Sequence, residues 1–290
     1  NDGYVIVYTS GTESRPKGCY HTFNTFGYTA RENGKLMKLG TEDVSFVPTP
    51  ATHTTGLAMG VDAPLIFGGG IHLLDVWDPA VACERIRDYR CTHTTNAATF
   101  LQMLLQAYDA KVHDLSSMRI WMSGGAPVPP SLVQEAHRLV PGMKVTTVYG
   151  RSETLTNTCT TIEDTVEDVA GSDGRAQPGV ELRIVDEKGN DVPPGTEGEI
   201  LYRGPGLMLC YWGSKELTEA AMYPGGWSRS GDLGRMDERG YLRVTGRLKD
   251  VIVRGGTNIS ALEIENELIT HPSVVSAAVV AEPDERLGER

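Results

Sequence analysis

The chain has 290 residues, with 27 Lys and Arg against 38 Asp and Glu, giving a formal net charge of -11. That length supports one large domain or two moderate ones with a sizeable core. Hydrophobic residues at 40% and charged residues at 22%, with 33 glycines and 16 prolines, exclude a disordered, collagenous or coiled-coil chain. The acidic balance argues against nucleic acid or an acidic membrane surface as partner, since both require clustered Lys and Arg. No apolar run reaches the ~18 residues of a membrane span. Cys19, Cys83, Cys91, Cys159 and Cys210 are scattered with no C-x-x-C pair, which suggests reduced thiols in a cytoplasmic protein rather than a disulfide framework or zinc site. The first residues lack a signal peptide and an initiator Met and run straight into an apolar strand pattern, so further chain is expected upstream.

Apolar, β-rich runs at 4–8, 44–47, 71–74, 119–122 and 144–149 predict strands, with helix-length segments between them. The clearest helix is predicted over 129–140, where Leu132, Val133, Ala136, Leu139 and Val140 share one face and prolines sit at the start. Such alternation implies βαβ units and a largely parallel sheet. Near Gly171 the pattern changes. Runs at 181–185, 198–203, 229–236 and 241–245, joined by turn-rich segments, predict an antiparallel sheet or small barrel. A strand at 251–253, a helix opened by the capping box Ser260-Ala-Leu-Glu263 and ending near Ile269, and a strand at 274–280 follow. No internal repeat is visible, and no feature bears on oligomeric state.

The strongest local feature is Tyr8-Thr-Ser-Gly-Thr-Glu-Ser-Arg-Pro-Lys-Gly18, a strand running into a loop of hydroxyl residues and glycines closed by a lysine. Such a loop can surround a phosphate with N–H groups and hydroxyls while the ammonium neutralises it. It is not a Walker loop, because Lys17 is followed by Gly18 rather than Ser or Thr.

With these residues the chain resembles the adenylate-forming superfamily, which includes acyl-CoA synthetases, aryl-CoA ligases, peptide-synthetase adenylation domains and beetle luciferases. The family loop reads Thr-Ser-Gly-Thr-Thr-Gly-x-Pro-Lys-Gly; here Glu13 and Ser14 replace Thr and Gly. The resemblance continues in order through Pro48–Gly56 with His53, Ser123-Gly-Gly-Ala-Pro127, Tyr149-Gly-Arg-Ser-Glu153, Trp227-Ser-Arg-Ser-Gly-Asp232, Gly246-Arg-Leu-Lys-Asp250 and Arg254-Gly-Gly-Thr-Asn-Ile259. It implies a mixed α/β fold in three parts: a mostly parallel αβα layered part with the phosphate loop (1–170), a small antiparallel β-barrel (171–248), and the start of an α+β C-terminal lid (249–290).

The resemblance also implies roles. Thr9, Ser10, Gly11, Thr12 and Lys17 would hold the ATP phosphates, Gly124, Gly125, Ala126, Tyr149 and Gly150 the adenine, Asp232 the ribose hydroxyls, and Arg247 the ribose or the phosphate. Ser152 would touch the α-phosphate, and Glu153 would ligate magnesium. Lys17, Ser152, Glu153 and His53 form the candidate catalytic set, His53, Gly56 and Thr154 border the acyl pocket, with Leu155 and 96–100 nearby, Lys249 is the hinge, and Gly255 and Gly256 line a thiol tunnel. Singly, Tyr149 reads better as a core tyrosine and Glu153 as a solvated strand-end acid, and Asp232 and Arg247 could be turn or surface ion-pair residues; their joint occurrence favours function. His53 stays open between a pocket gate and an ordinary loop histidine.

The implied reaction joins a small-molecule carboxylic acid to coenzyme A at the expense of ATP and Mg2+, through an acyl-adenylate. The absence of an Asp at 51–53 disfavours an amino-acid substrate. The family's second lysine would fall after Arg290, so the 290-residue chain is expected to adenylate poorly. Transfer to a carrier protein and a nucleotide-binding remnant without catalysis are the alternatives; a P-loop ATPase fails on loop spacing.

Overall fold

The computed structural model describes residues 2–9, 16–125, 128–269, 271, 274 and 277–290. Its chain divides into two compact units, Asn1–Val180 with Gly204–Ala220, and Glu181–Arg203 with Ala221–Arg290.

The first unit is built on a seven-stranded sheet. Strands Gly70–Leu73, Val44–Val47, His93–Asn96, Ile120–Gly124 and Lys144–Tyr149 run parallel in that spatial order, and Thr158–Cys159 and Arg175–Ala176 add an antiparallel edge. Both faces are covered, as parallel strands require. Within Ile120–Gly124 successive side chains alternate between cores: Trp121 packs with Ile86, Leu101, Leu104 and Val133 of helices Pro79–Tyr89, Ala98–Ala107 and Pro130–Leu139. Ile120 and Met122 face the other way, toward Ala30 of helix Phe23–Leu36 and Ala63 of Ala63–Phe67. The helix starts follow from local chemistry. Asp78 accepts from the Ala80 and Val81 amides ahead of Pro79, and Thr22 and Thr25 form a reciprocal capping box.

Gly3–Tyr8 does not join the parallel sheet. It pairs antiparallel with Gly18–Thr22, which pairs in turn with Cys210–Tyr211. The connection is too short for the crossover that a parallel neighbour needs.

The second unit holds a five-stranded antiparallel sheet: Glu181–Val185, Gly198–Arg203 and Trp227–Met236 are neighbours, with Met222–Tyr223 and Leu242–Arg247 both paired to Trp227–Met236. A four-stranded sheet comprises Thr257–Ser260, Val251–Arg254, Gly288–Glu289 and Pro283–Asp284. Ser260 Oγ accepts from the Glu263 amide and donates to the Thr245 carbonyl, starting helix Ala261–Ile269. The strand expected over 274–280 is not formed by its described residues, 274 and 277–280. The free edge of Val251–Arg254 is taken instead by Gly288, and the Val279 amide donates to Glu265 Oε1.

Candidate active site

The antiparallel hairpin of the first unit fixes the ends of the phosphate-loop segment. The Thr9 amide donates to the Lys17 carbonyl at 2.9 Å, and the Lys17 amide donates to Thr9 Oγ1 at 3.2 Å. Ser10, Gly11 and Thr12 between them lie outside the described residues. Lys17 Nζ stands 5.4 Å from the centroid of the Tyr211 ring, a cation–π distance.

Tyr211 also reaches Glu153. Its hydroxyl donates to Glu153 Oε1 at 2.5 Å, and Arg151 Nη2 approaches the same oxygen at 3.4 Å. Among the described residues no hydrogen bond reaches Oε2. Glu153 is only 4% exposed, so the carboxylate is held in place by these contacts and by its backbone, whose carbonyl accepts from the Met208 amide at 2.8 Å. Burial first, then the Glu153 charge and the hydrogen bond to it, push the Tyr211 phenol well above its ordinary range. His21 lies beneath, fully buried: Nε2 sits 2.8 Å from the Ser152 carbonyl and so must carry the proton, leaving Nδ1 to face Thr25 Oγ1 at 3.2 Å. Burial holds the His21 pKa below its ordinary value, and the Ser152 and Glu153 interactions only partly offset it.

Gly124, Gly125, Tyr149 and Gly150 follow from the carboxyl ends of adjacent parallel strands, with Gly124 opposite Val148. In open α/β sheets that edge is where ligands bind. A Cβ on Gly125 would enter open space, so backbone is accessible there, whereas Ala126 lies outside the described residues. Gly150 is required sterically: a Cβ would stand 1.7 Å from the Leu155 carbonyl oxygen. The turn carrying Ser152, Glu153 and Thr154 closes through the Arg151 carbonyl, which accepts from the amides of Thr154 and Leu155. Thr154 is buried, and its hydroxyl has no partner among the described residues.

Thr49 Oγ1 donates to Asn96 Oδ1 at the same sheet edge, anchoring the loop that carries His53. His53 is exposed, and Gly56 opens the π-helical stretch Gly56–Asp62. Such stretches are frequent at functional sites.

In the second unit Asp232 and Arg247 are cross-strand partners, with Arg247 Nε 3.6 Å from Asp232 Oδ1. The Asp232 amide donates to Ser230 Oγ at 2.8 Å. Lys249 is exposed in the short 3-10 turn Leu248–Asp250. Gly255 and Gly256, at φ 59° and 85°, are the central residues of the hairpin turn between Arg254 and Thr257. That left-handed geometry favours glycine before any ligand is considered.

The structure thus brings Lys17 and Glu153 together through Tyr211. The sequence reading missed Tyr211, Arg151 and His21. No local spacing marks Tyr211, because its partners lie far away in the chain, and Arg151 lies within Tyr149-Gly-Arg-Ser-Glu153 with no role assigned to it there. Chemically, an ammonium over the ring of Tyr211 and a carboxylate fixed by the hydroxyl of the same tyrosine, with one oxygen left over, suit an anion accompanied by a hard divalent cation. Among the described residues no three His, Cys, Asp or Glu side chains form a metal cluster, so any such ion would take most ligands from the bound anion and water.

The fold is that of a mixed α/β protein, and the chain belongs to the family described as AMP-binding enzyme, whose model matches residues 1–212. It is 40% identical over 286 residues to the medium-chain fatty-acid–CoA ligase of Escherichia coli (strain K12), covering 99% of this chain and 50% of that protein. It superposes with a TM-score of 0.89 on ATP-bound MatB from Rhodopseudomonas palustris, at 32% identity over 98% of this chain and 56% of the other. The o-succinylbenzoate CoA synthetase MenE of Bacillus subtilis, in complex with its acyl-adenylate intermediate, gives 0.89 at 29% identity over 98% of this chain and 57% of that one. The chain therefore spans about half the length of the curated relatives it matches. No helix among the described residues is long and apolar enough to cross a membrane.

Proposed function

We propose that the protein to which this chain belongs activates a small carboxylic acid with ATP and joins it to coenzyme A. The carboxylate oxygen attacks the α-phosphorus, the bond to the bridging oxygen breaks and pyrophosphate leaves; the thiol sulfur then attacks the acyl carbon of the acyl-adenylate, releasing AMP. The convergence of Lys17 and Glu153 on Tyr211 carries this reading, supported by relatives that are CoA ligases.

Phosphoryl chemistry of this kind depends on positioning and charge neutralisation. In our assignment Lys17, with Thr9, Ser10, Gly11 and Thr12, holds the departing pyrophosphate. Ser152 contacts the α-phosphate, Tyr149, Gly124, Gly125, Ala126 and Gly150 receive adenine, Asp232 receives the ribose, and Arg247 donates to the ribose or the phosphate. Glu153 would hold magnesium, which when bound neutralises charge on the phosphate oxygens. His53, Gly56 and Thr154 border the acid, Lys249 is the hinge, and Gly255 and Gly256 line the thiol path. The three-part division 1–170, 171–248 and 249–290 belongs to the same assignment, as does a cytoplasmic location.

Calorimetric titration of this chain with ATP and with a non-hydrolysable acyl-AMP analogue tests the nucleotide reading, and binding of both is expected. Failure of both to bind would overturn the nucleotide reading. A thioester assay of the full-length protein against short, medium, alicyclic and aromatic acids, with coenzyme A and with a carrier protein as acceptor, tests the rest.

A further inference from the structure

Tyr211 is 6% exposed, and its position is set by the backbone on both sides. It lies opposite Cys19 in the ladder with Gly18–Thr22, the Trp212 amide donates to the Gly18 carbonyl at 2.7 Å, and the Tyr211 amide donates to Thr218 Oγ1 at 3.0 Å. The same short segment reaches the other side of the site through the Met208 amide on the Glu153 carbonyl. Segment 208–212 therefore ties the strand behind the phosphate loop to the turn bearing the carboxylate. At its centre a single side chain touches both charges, through the ring face toward Lys17 and the hydroxyl toward Glu153.

A buried tyrosine needs only one hydrogen-bond partner, and any carbonyl would serve. Here the partner is a nearly buried carboxylate whose second oxygen has no bond among the described residues. Without that bond the carboxylate would be free to rotate and exchange the oxygen that faces Arg151, so the oxygen left for a metal ion would not be fixed. With Oε1 committed, the carboxylate presents Oε2.

We infer that Tyr211 is a positioning residue of the phosphate site: its hydroxyl orients Glu153 for the metal ion that accompanies the nucleotide, and its ring steadies the Lys17 ammonium for the phosphates. This rests on the nucleotide-binding reading above.

The two halves of the role separate experimentally. Tyr211→Phe removes the hydroxyl and keeps the ring, while Tyr211→Leu removes both. ATP is titrated into each 290-residue chain by calorimetry, once with excess Mg2+ and once with EDTA, and thermal unfolding checks that each variant folds. For Tyr211→Phe the affinity with Mg2+ should fall about tenfold, the scale of one hydrogen bond to a charged group, while the affinity in EDTA stays within about twofold of the parent. Tyr211→Leu should weaken binding in both conditions. A merely structural tyrosine would lower the unfolding temperature without changing the Mg2+-to-EDTA ratio. The inference is overturned if folded Tyr211→Phe keeps the parental ratio, and that variant decides even if Tyr211→Leu does not fold. A parent chain that binds no ATP overturns the nucleotide reading itself, and the assignment of Tyr211 falls with it.

Discussion

Thr9 and Lys17 close the phosphate-loop hairpin from opposite sides, each donating its backbone N–H to the other residue, one to a carbonyl and one to a hydroxyl. The side-chain bond keeps the lysine backbone from sliding along the ladder, so the direction in which the ammonium leaves the hairpin is partly set by a threonine eight positions earlier.

Replacing Thr9 by Val removes that acceptor while keeping the shape. Loss of one such bond is worth about 1 kcal/mol, so ATP affinity should drop roughly fivefold, with Thr9→Ser close to the parent. Calorimetry reads the affinity, and urea unfolding should show a change below about 1 kcal/mol because the site is at a loop mouth.

Gly150→Ala should be far more damaging than its size suggests. The new methyl would meet the Leu155 backbone carbonyl at 1.7 Å, and a backbone atom cannot move aside as a flexible side chain can. Leu155 already sits at φ 62°, so the turn has little room to relax. A loss of about 2–3 kcal/mol in urea unfolding is expected. A Gly150→Ala variant as stable as the parent would show that the turn is not held as described.

His93 makes stability depend on pH. Its ring is 1% exposed, and burial drives its pKa down to about 4, with Asp43 opposing and Arg119 adding to the shift. Above the ordinary value of 6.5 the ring is neutral in both states. As pH falls below that value the unfolded chain takes up a proton that the folded chain cannot, so stability is lost progressively down to about 4, by on the order of 3 kcal/mol. Urea midpoints across this window should decline in the parent and decline less in His93→Leu. Equal slopes would refute the assignment.

The Gly255–Gly256 turn gives a separate test of two explanations for the same residues. At φ 59° and 85° a non-glycine residue costs about 1 kcal/mol, and Asn costs less than Ala. Hydrogen exchange over 251–260 should therefore accelerate more in Gly256→Ala than in Gly256→Asn. If both substitutions abolish thioester formation in the full-length protein while Asn leaves exchange unchanged, backbone access for a thiol is needed in addition to the turn.

Much of the fold was legible because local patterns record burial. The run at 144–149 coincides with the strand Lys144–Tyr149, and the 129–140 pattern corresponds to helix Pro130–Leu139, with Leu132, Val133 and Ala136 buried. The run at 4–8 was recognised as a strand, but its partner was not, because alternation marks extended backbone without saying what lies alongside. The apolar stretch 274–280 has the composition of a strand, yet its described residues form none, since a strand needs an available edge and Gly288 occupies that edge of Val251–Arg254.

The motifs around Lys17 and Glu153 are short and contiguous, so the linear chain determined them: hydroxyls, glycine and lysine in one loop, and a carboxylate just past a strand. What joins them was decided only by tertiary structure. Tyr211 belongs to a two-residue strand with no pattern of its own, and it reaches Lys17 and Glu153 because Cys210–Tyr211 pairs with Gly18–Thr22. A hydrogen bond between residues 58 positions apart leaves no periodic trace in a single sequence, because it is the packing of distant segments, not their own composition, that sets the distance between them.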